Sequence, residues 1–129
     1  VRLYEGKEGV RMFLEDLKSE KPKSIDEITD MEALSTVFTQ EDLEPLKKAA
    51  AQTNPDIAEC NQELGDKPGH NPISIPKKYQ GFNSNITIYH DRVVLVTLEG
   101  KVYTIVIESK HLSKTLRILF DMVFEAQQK

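Results

Sequence analysis

Few residues in this chain are of the types that do chemistry. His70, His90 and His111 and the single Cys60 are the candidates for nucleophile or ligand. His70 sits in GDKPGHN, a loop by composition. His90 sits beside Asp91 in a short polar break between two apolar runs, and the simplest reading makes it a turn residue. Cys60 has no His near it in sequence, so it reads as a partly buried structural thiol. No His/Cys/Asp/Glu spacing suggests a metal site, and nothing implies a cofactor. Gly6, Lys7 and Gly9 stand where a helix begins. Backbone N–H groups at such a start bind anions, with Lys7 alongside. The simpler reading makes Gly6 a turn residue and Gly9 a point of close helix packing, because the glycine spacing matches no phosphate-loop fingerprint. Lys77 and Lys78, followed by Tyr79, Gly81, Phe82 and Asn83, form a basic-aromatic patch that could meet a phosphate or a sugar ring. A solvated loop accounts for it as well.

The elements that must position these groups centre on residues 84 to 108. Ile86, Ile88, Val93, Val94, Leu95 and Val96 lead a run of β-branched and aliphatic types suited to a pleated surface. Breaks at His90-Asp91 and Glu99-Gly100 divide the run into three antiparallel strands, about 85–89, 92–98 and 101–108. Val93 to Val96 is apolar without alternation, which predicts a middle strand covered on both faces. Val1 to Tyr4 reads as a short strand. Val10, Phe13, Leu14 and Leu17 give the stripe of an amphipathic helix over Lys7 to Glu20. Ser24 to Thr29 is a weak strand anchored by Ile25 and Ile28, and Met31 to Phe38 is a short helix. Thr39 caps a further helix through Leu43, Leu46 and Ala49–Ala51, with Asp42 at the capping-box position. Asp56 to Leu64 is expected to add a helical turn or two. Pro72 to Pro76 reads as an edge strand. Ser109 caps a last helix with Leu112, Leu116, Leu119 and Val123 on one stripe. Ile118, Phe120, Met122 and Phe124 widen that surface, so the helix is expected to be buried on more than one side. That predicts packing on the sheet and, with Phe120 and Phe124 near the interface, on a second chain.

At 129 residues the chain is one domain with room for a real core. No apolar run approaches the roughly 20 residues that cross a bilayer, and one cysteine suits a reducing cytoplasm. The net charge is −4; residues 1–50 carry 12 acids and 8 bases, and the remainder 9 of each. No segment is basic enough for a nucleic-acid surface. The opening at Val1, on residues that already read as a strand, sets the expectation of a fragment lacking an N-terminal part.

Two stretches together carry a resemblance. LYEGKEGVRMFLED resembles the segment after the winged helix of TrmB-like transcriptional regulators. ITIYHDRVVLVTLEGKVYTIVIESKHLSKTLRILFDMVFEAQ resembles the end of the same domain. The resemblance covers the first 17 and last 45 residues, and the middle of the chain poorly. It implies an α/β fold: a phospholipase D-like mixed sheet with a C-terminal antiparallel meander, covered by helices. It also implies a role in effector sensing or dimerisation. The implied partners are a second copy, a small sugar or phosphate effector, and DNA through an N-terminal winged helix that this chain lacks. Active phospholipase D-like enzymes carry His-x-Lys-x-x-x-x-Asp, in which Lys holds phosphate and Asp orients His. The comparable stretch here runs from His90 through Arg92 to Thr97. Arg92 keeps the charge but not the ammonium geometry, and Thr97 cannot stabilise an imidazolium. The expectation is therefore a non-catalytic regulatory domain, with candidate ligand contacts at Gly6, Lys7, Gly9, His90 and Arg92. The alternatives are a phosphodiesterase-like hydrolase using His90 and a stand-alone protein-binding module.

Overall fold

The computed structural model describes residues 1–20, 22, 25–44, 56–59 and 73–127. Among these residues, seven strands form one mixed sheet in the order β1-β7-β6-β5-β2-β3-β4. They are β1 (Arg2–Glu5), β2 (Asp26–Thr29), β3 (Asp56–Glu59), β4 (Ile73–Ser74), β5 (Ser84–Tyr89), β6 (Arg92–Thr97) and β7 (Tyr103–Glu108). The run from β1 to β2 is antiparallel throughout; β3 and β4 extend it in parallel. The helices are α1 (Lys7–Glu20), α2 (Met31–Val37) and α3 (Lys110–Gln127), with a 3-10 turn at Lys77–Tyr79. The expected mixed sheet and closing meander are both present.

One face of the sheet packs on α1 and α2. Val10, Phe13, Leu14 and Leu17 meet Val94 and Val96 there, and Leu34 and Phe38 close the same core. Gly9 is what lets α1 approach: an added Cβ would lie 2.5 Å from Tyr4 Cβ and 2.9 Å from Thr104 Cβ. The other face carries Ile88 and Val93, both buried, beneath α3. The middle strand is therefore covered on both faces at Val93 and Val94, as its unbroken apolar run required, while Leu95 is half-buried.

Three expectations change. Asp56 to Leu64 was expected to be helical, but Asp56–Glu59 pairs in parallel with β2 from Asp26↔Asp56 to Thr29↔Glu59. Its four residues are too few to show a period, so the pairing of β2 decides them. β2 is itself more polar than a covered strand should be. Asp26, Glu27, Thr29 and the following Asp30 are buried, whereas Ile28, expected as an anchor, is only half-buried. Polar neighbours on the same face offset that cost, with Thr87 Oγ1 3.1 Å from Glu27 Oε2 and 2.8 Å from Asn85 Oδ1. Finally, the described side chains of α3 are buried along one side. Ser113 is fully buried and Phe120 half-buried, but Leu112, Ile118, Leu119, Met122 and Val123 are exposed.

The capping signals hold. Asp42 N–H donates to Thr39 Oγ1, and Thr39 N–H donates to Asp42 Oδ2, each at 3.1 Å. Leu112 N–H donates to Ser109 Oγ at 3.1 Å. Asp30 caps α2 through Ala33 N–H at 3.1 Å and also accepts from Asn83 N–H at 2.9 Å, tying the helix start to the entry of β5. Cys60, His70 and the expected helix beyond Glu44 lie outside the described residues.

Candidate functional site

The β5–β6 hairpin turns at His90 and Asp91, directly after the pair Tyr89↔Arg92. His90 takes a left-handed φ of 50°, a conformation that His tolerates better than most residues. Arg117 of α3 donates to the His90 carbonyl and approaches Asp26 Oδ2 at 3.9 Å, which braces the turn from below. The last turns of α1 come down beside the hairpin and bring Asp16 and Glu20, four residues apart on one helix side. The end of β7 supplies Glu108, and Ser109 and Lys110 open α3. Together Glu20, His90, Asp91, Arg92, Glu108, Ser109 and Lys110 line a cleft of about 440 Å³. A second hollow of about 150 Å³, with Arg2, Tyr4, Met12 and Tyr89 in its walls, lies across Arg92 and Glu108.

Arg92 is the hub. Its guanidinium lies 3.0 Å from Asp16, 3.4 Å from Glu20 and 3.1 Å from Glu108, and it stacks over Tyr89 at 5.8 Å. Burial alone would lower its pKa, but Glu108 and Asp16 outweigh that and hold it above its ordinary value. Tyr89 donates to Asp16 Oδ2 at 2.5 Å. Burial first, and then that carboxylate, push the phenol far above its usual range, so it stays a donor. His90 Nε2 is 3.8 Å from Glu20 Oε2, an ion-pair separation longer than an orienting hydrogen bond.

The sequence candidates divide into two groups at opposite ends of the sheet. His90 and Arg92 share the cleft. Gly6, Lys7 and Gly9 lie away from it, and the two glycines serve as turn and close-packing residues, the simpler of their two readings. Gly6 N–H already donates to the Val102 carbonyl at 2.7 Å. Gly9 is buried against Tyr4 and Thr104, and the Lys7 ammonium lies 5.7 Å over the Phe38 ring. Position 97, where the sequence already offers nothing to support an imidazolium, is also remote from His90. Thr97 pairs with Ser84 and Tyr103 at the far end of β6. Five residues at about 3.3 Å each place it roughly 17 Å from Arg92, so no side chain at 97 could orient the imidazole. Glu20 is the carboxylate in range. The spacing of Asp16 and Glu20 shows that they share a helix side, but their meeting with Arg92 depends on the β1–α1 geometry. Among the described residues no cluster of His, Cys, Asp and Glu could hold a metal, and no helix is long and apolar enough to cross a membrane.

Solved structures that share this fold include two from different proteins. TrmBL2, described as an archaeal chromatin protein with a novel mode of DNA binding, superposes with a TM-score of 0.63 at 12% identity. The match covers 97% of this chain and 52% of TrmBL2, so this chain spans about half of that protein. NucT from Helicobacter pylori superposes with a TM-score of 0.65 at 11% identity, covering 96% of this chain and 94% of NucT. No family model and no curated protein matches the sequence.

Proposed function

We propose that this chain is a non-catalytic, phospholipase D-like domain of a TrmB-like transcriptional regulator, serving effector sensing, dimerisation or both. The observation that carries the reading is the state of Arg92. A phosphodiesterase needs a cation free to hold its anionic substrate, and here three carboxylates already occupy the guanidinium. Counting Asp91 and Lys110, the charged groups around the cleft total four acids and two bases besides His90, which disfavours an incoming phosphate. Such a cleft suits an uncharged or cationic polar effector. The fold shared with TrmBL2 supports the regulator assignment, and DNA contact would fall to a winged helix outside this chain.

A thermal-shift screen with inorganic phosphate, a nucleotide and neutral sugars tests the reading. A ligand at 100 times its Kd adds about 2.7 kcal/mol to stability. Phosphate and nucleotide should leave the melting temperature unchanged, and a neutral effector should raise it in wild type but not in Glu108→Ala. A rise with phosphate that disappears in Arg92→Met would contradict the account. The 3.8 Å approach of Glu20 to His90 favours a second reading, a hydrolase in which Glu20 positions the imidazole. Turnover of a phosphodiester decides between them.

A further inference from the structure

We propose that the outer side of α3 pairs with the same side of a second copy of this chain, the two helices running antiparallel about a two-fold axis near Leu119. This rests on the dimerisation part of the reading above and assigns it a surface. α3 has three sides. Ser113, Leu116, Arg117 and Phe120 turn toward the sheet, buried or half-buried. A second side is apolar and open to solvent. Leu112, Ile118, Leu119, Met122 and Val123 are 39–60% exposed, and positions 112, 115, 119, 122 and 126 follow the alternating three- and four-residue spacing of a helix-pairing seam. The sheet face that α3 covers is apolar as well. Leu3, Ile105 and Leu95 lie in register on the α3 face, with Leu3 exposed and the other two half-buried. Exposed apolar residues gathered on one helix side in this way mark an interaction site.

The third side says what covers it. Its exposed charges are Lys110 and Lys114 in the first half and Asp121 and Glu125 in the second. Parallel pairing about a two-fold axis turns the two charged sides to opposite flanks of the seam, where they do not meet. Antiparallel pairing sets each basic half against the partner's acidic half, and a single patch then complements itself as a two-fold contact requires. With the axis near Leu119, Leu112 lies opposite the partner's Ala126, and Lys114 comes within a residue of level with the partner's Glu125. The rim charges set orientation more than strength; the apolar seam supplies the affinity.

The test uses the 129-residue chain in a Cys60→Ser background. Light scattering should give twice the 14.7 kDa chain mass, and Leu119→Lys should give the monomer with an unchanged circular dichroism spectrum. Lys114→Glu and Glu125→Lys should each weaken pairing about tenfold, equivalent to 1.4 kcal/mol, and mixing the two should restore it. Leu119→Cys should cross-link to its counterpart under mild oxidation. Leu112→Cys should not, because antiparallel helices hold the two copies of residue 112 about 21 Å apart. A dimer that survives Leu119→Lys, or that cross-links through Leu112→Cys, overturns this surface while leaving dimerisation standing. A monomer at all concentrations overturns both.

Discussion

Gly9 shows how much one hydrogen atom in place of a methyl decides. α1 crosses β1 and β7 so closely that a Cβ at position 9 would sit 2.5 Å from Tyr4 Cβ and 2.9 Å from Thr104 Cβ, both anchored in strands. Helix propensity alone favours Gly9→Ala by about 1 kcal/mol. Overpacking against strand atoms costs about 1–3 kcal/mol, and here neither neighbour is the loose end of a flexible chain. Gly9→Ala should therefore lower the unfolding free energy by up to about 2 kcal/mol net, as read by urea denaturation. A stabilised variant would mean that α1 is free to move away from the sheet. The same crossing sets Asp16 and Glu20 over Arg92, so helix position and cleft charge are linked through this residue. His90 gives the complementary lesson. It was legible as a turn residue, and its positive φ bears that out; its carboxylate neighbour was not, because Glu20 is 70 positions away in sequence and joins it only through the fold.

At the scale of elements, legibility followed the strength of the periodic signal. α1, the three closing strands and the cap of α3 were readable because apolar spacing, turn residues and capping side chains agreed with one another. β2 was readable only weakly, since its buried Asp26, Glu27 and Thr29 look like a loop until their neighbours across the sheet are known. β3 was misread for want of length. The reciprocal Thr39–Asp42 box is an element signal with a pH consequence. Hydrogen bonds from the Thr39 backbone and then its side chain hold the Asp42 pKa below its ordinary value. The folded state thus binds that proton less readily than the unfolded chain. The cap's contribution is complete above the ordinary Asp value of about 3.9 and is lost as the pH falls through the lowered folded value. Asp42→Asn should remove this part of the acid dependence, measured as the difference in unfolding midpoint between wild type and variant from pH 7 to pH 3. Equal acid profiles would show that the box contributes nothing.

At the scale of the whole molecule, the proposed sensing cleft and the proposed pairing surface are built on different parts of one sheet. On the α1 face, Arg92 ties three carboxylates and Tyr89 into one network beneath an open cleft. On the α3 face, Leu112, Leu119 and Met122 leave apolar surface exposed, the surface proposed above to meet a second copy. A regulator needs both, a place to sense and a place to pair, whereas a phosphodiesterase needs a free cation where this chain has a neutralised one. The most direct measurement is hydrolysis of bis-para-nitrophenyl phosphate by the wild-type chain and by His90→Ala. The account predicts equal rates at the buffer background for both. Wild-type turnover well above background that is abolished in His90→Ala would contradict it and establish His90, with Glu20 beside it, as a working catalytic pair.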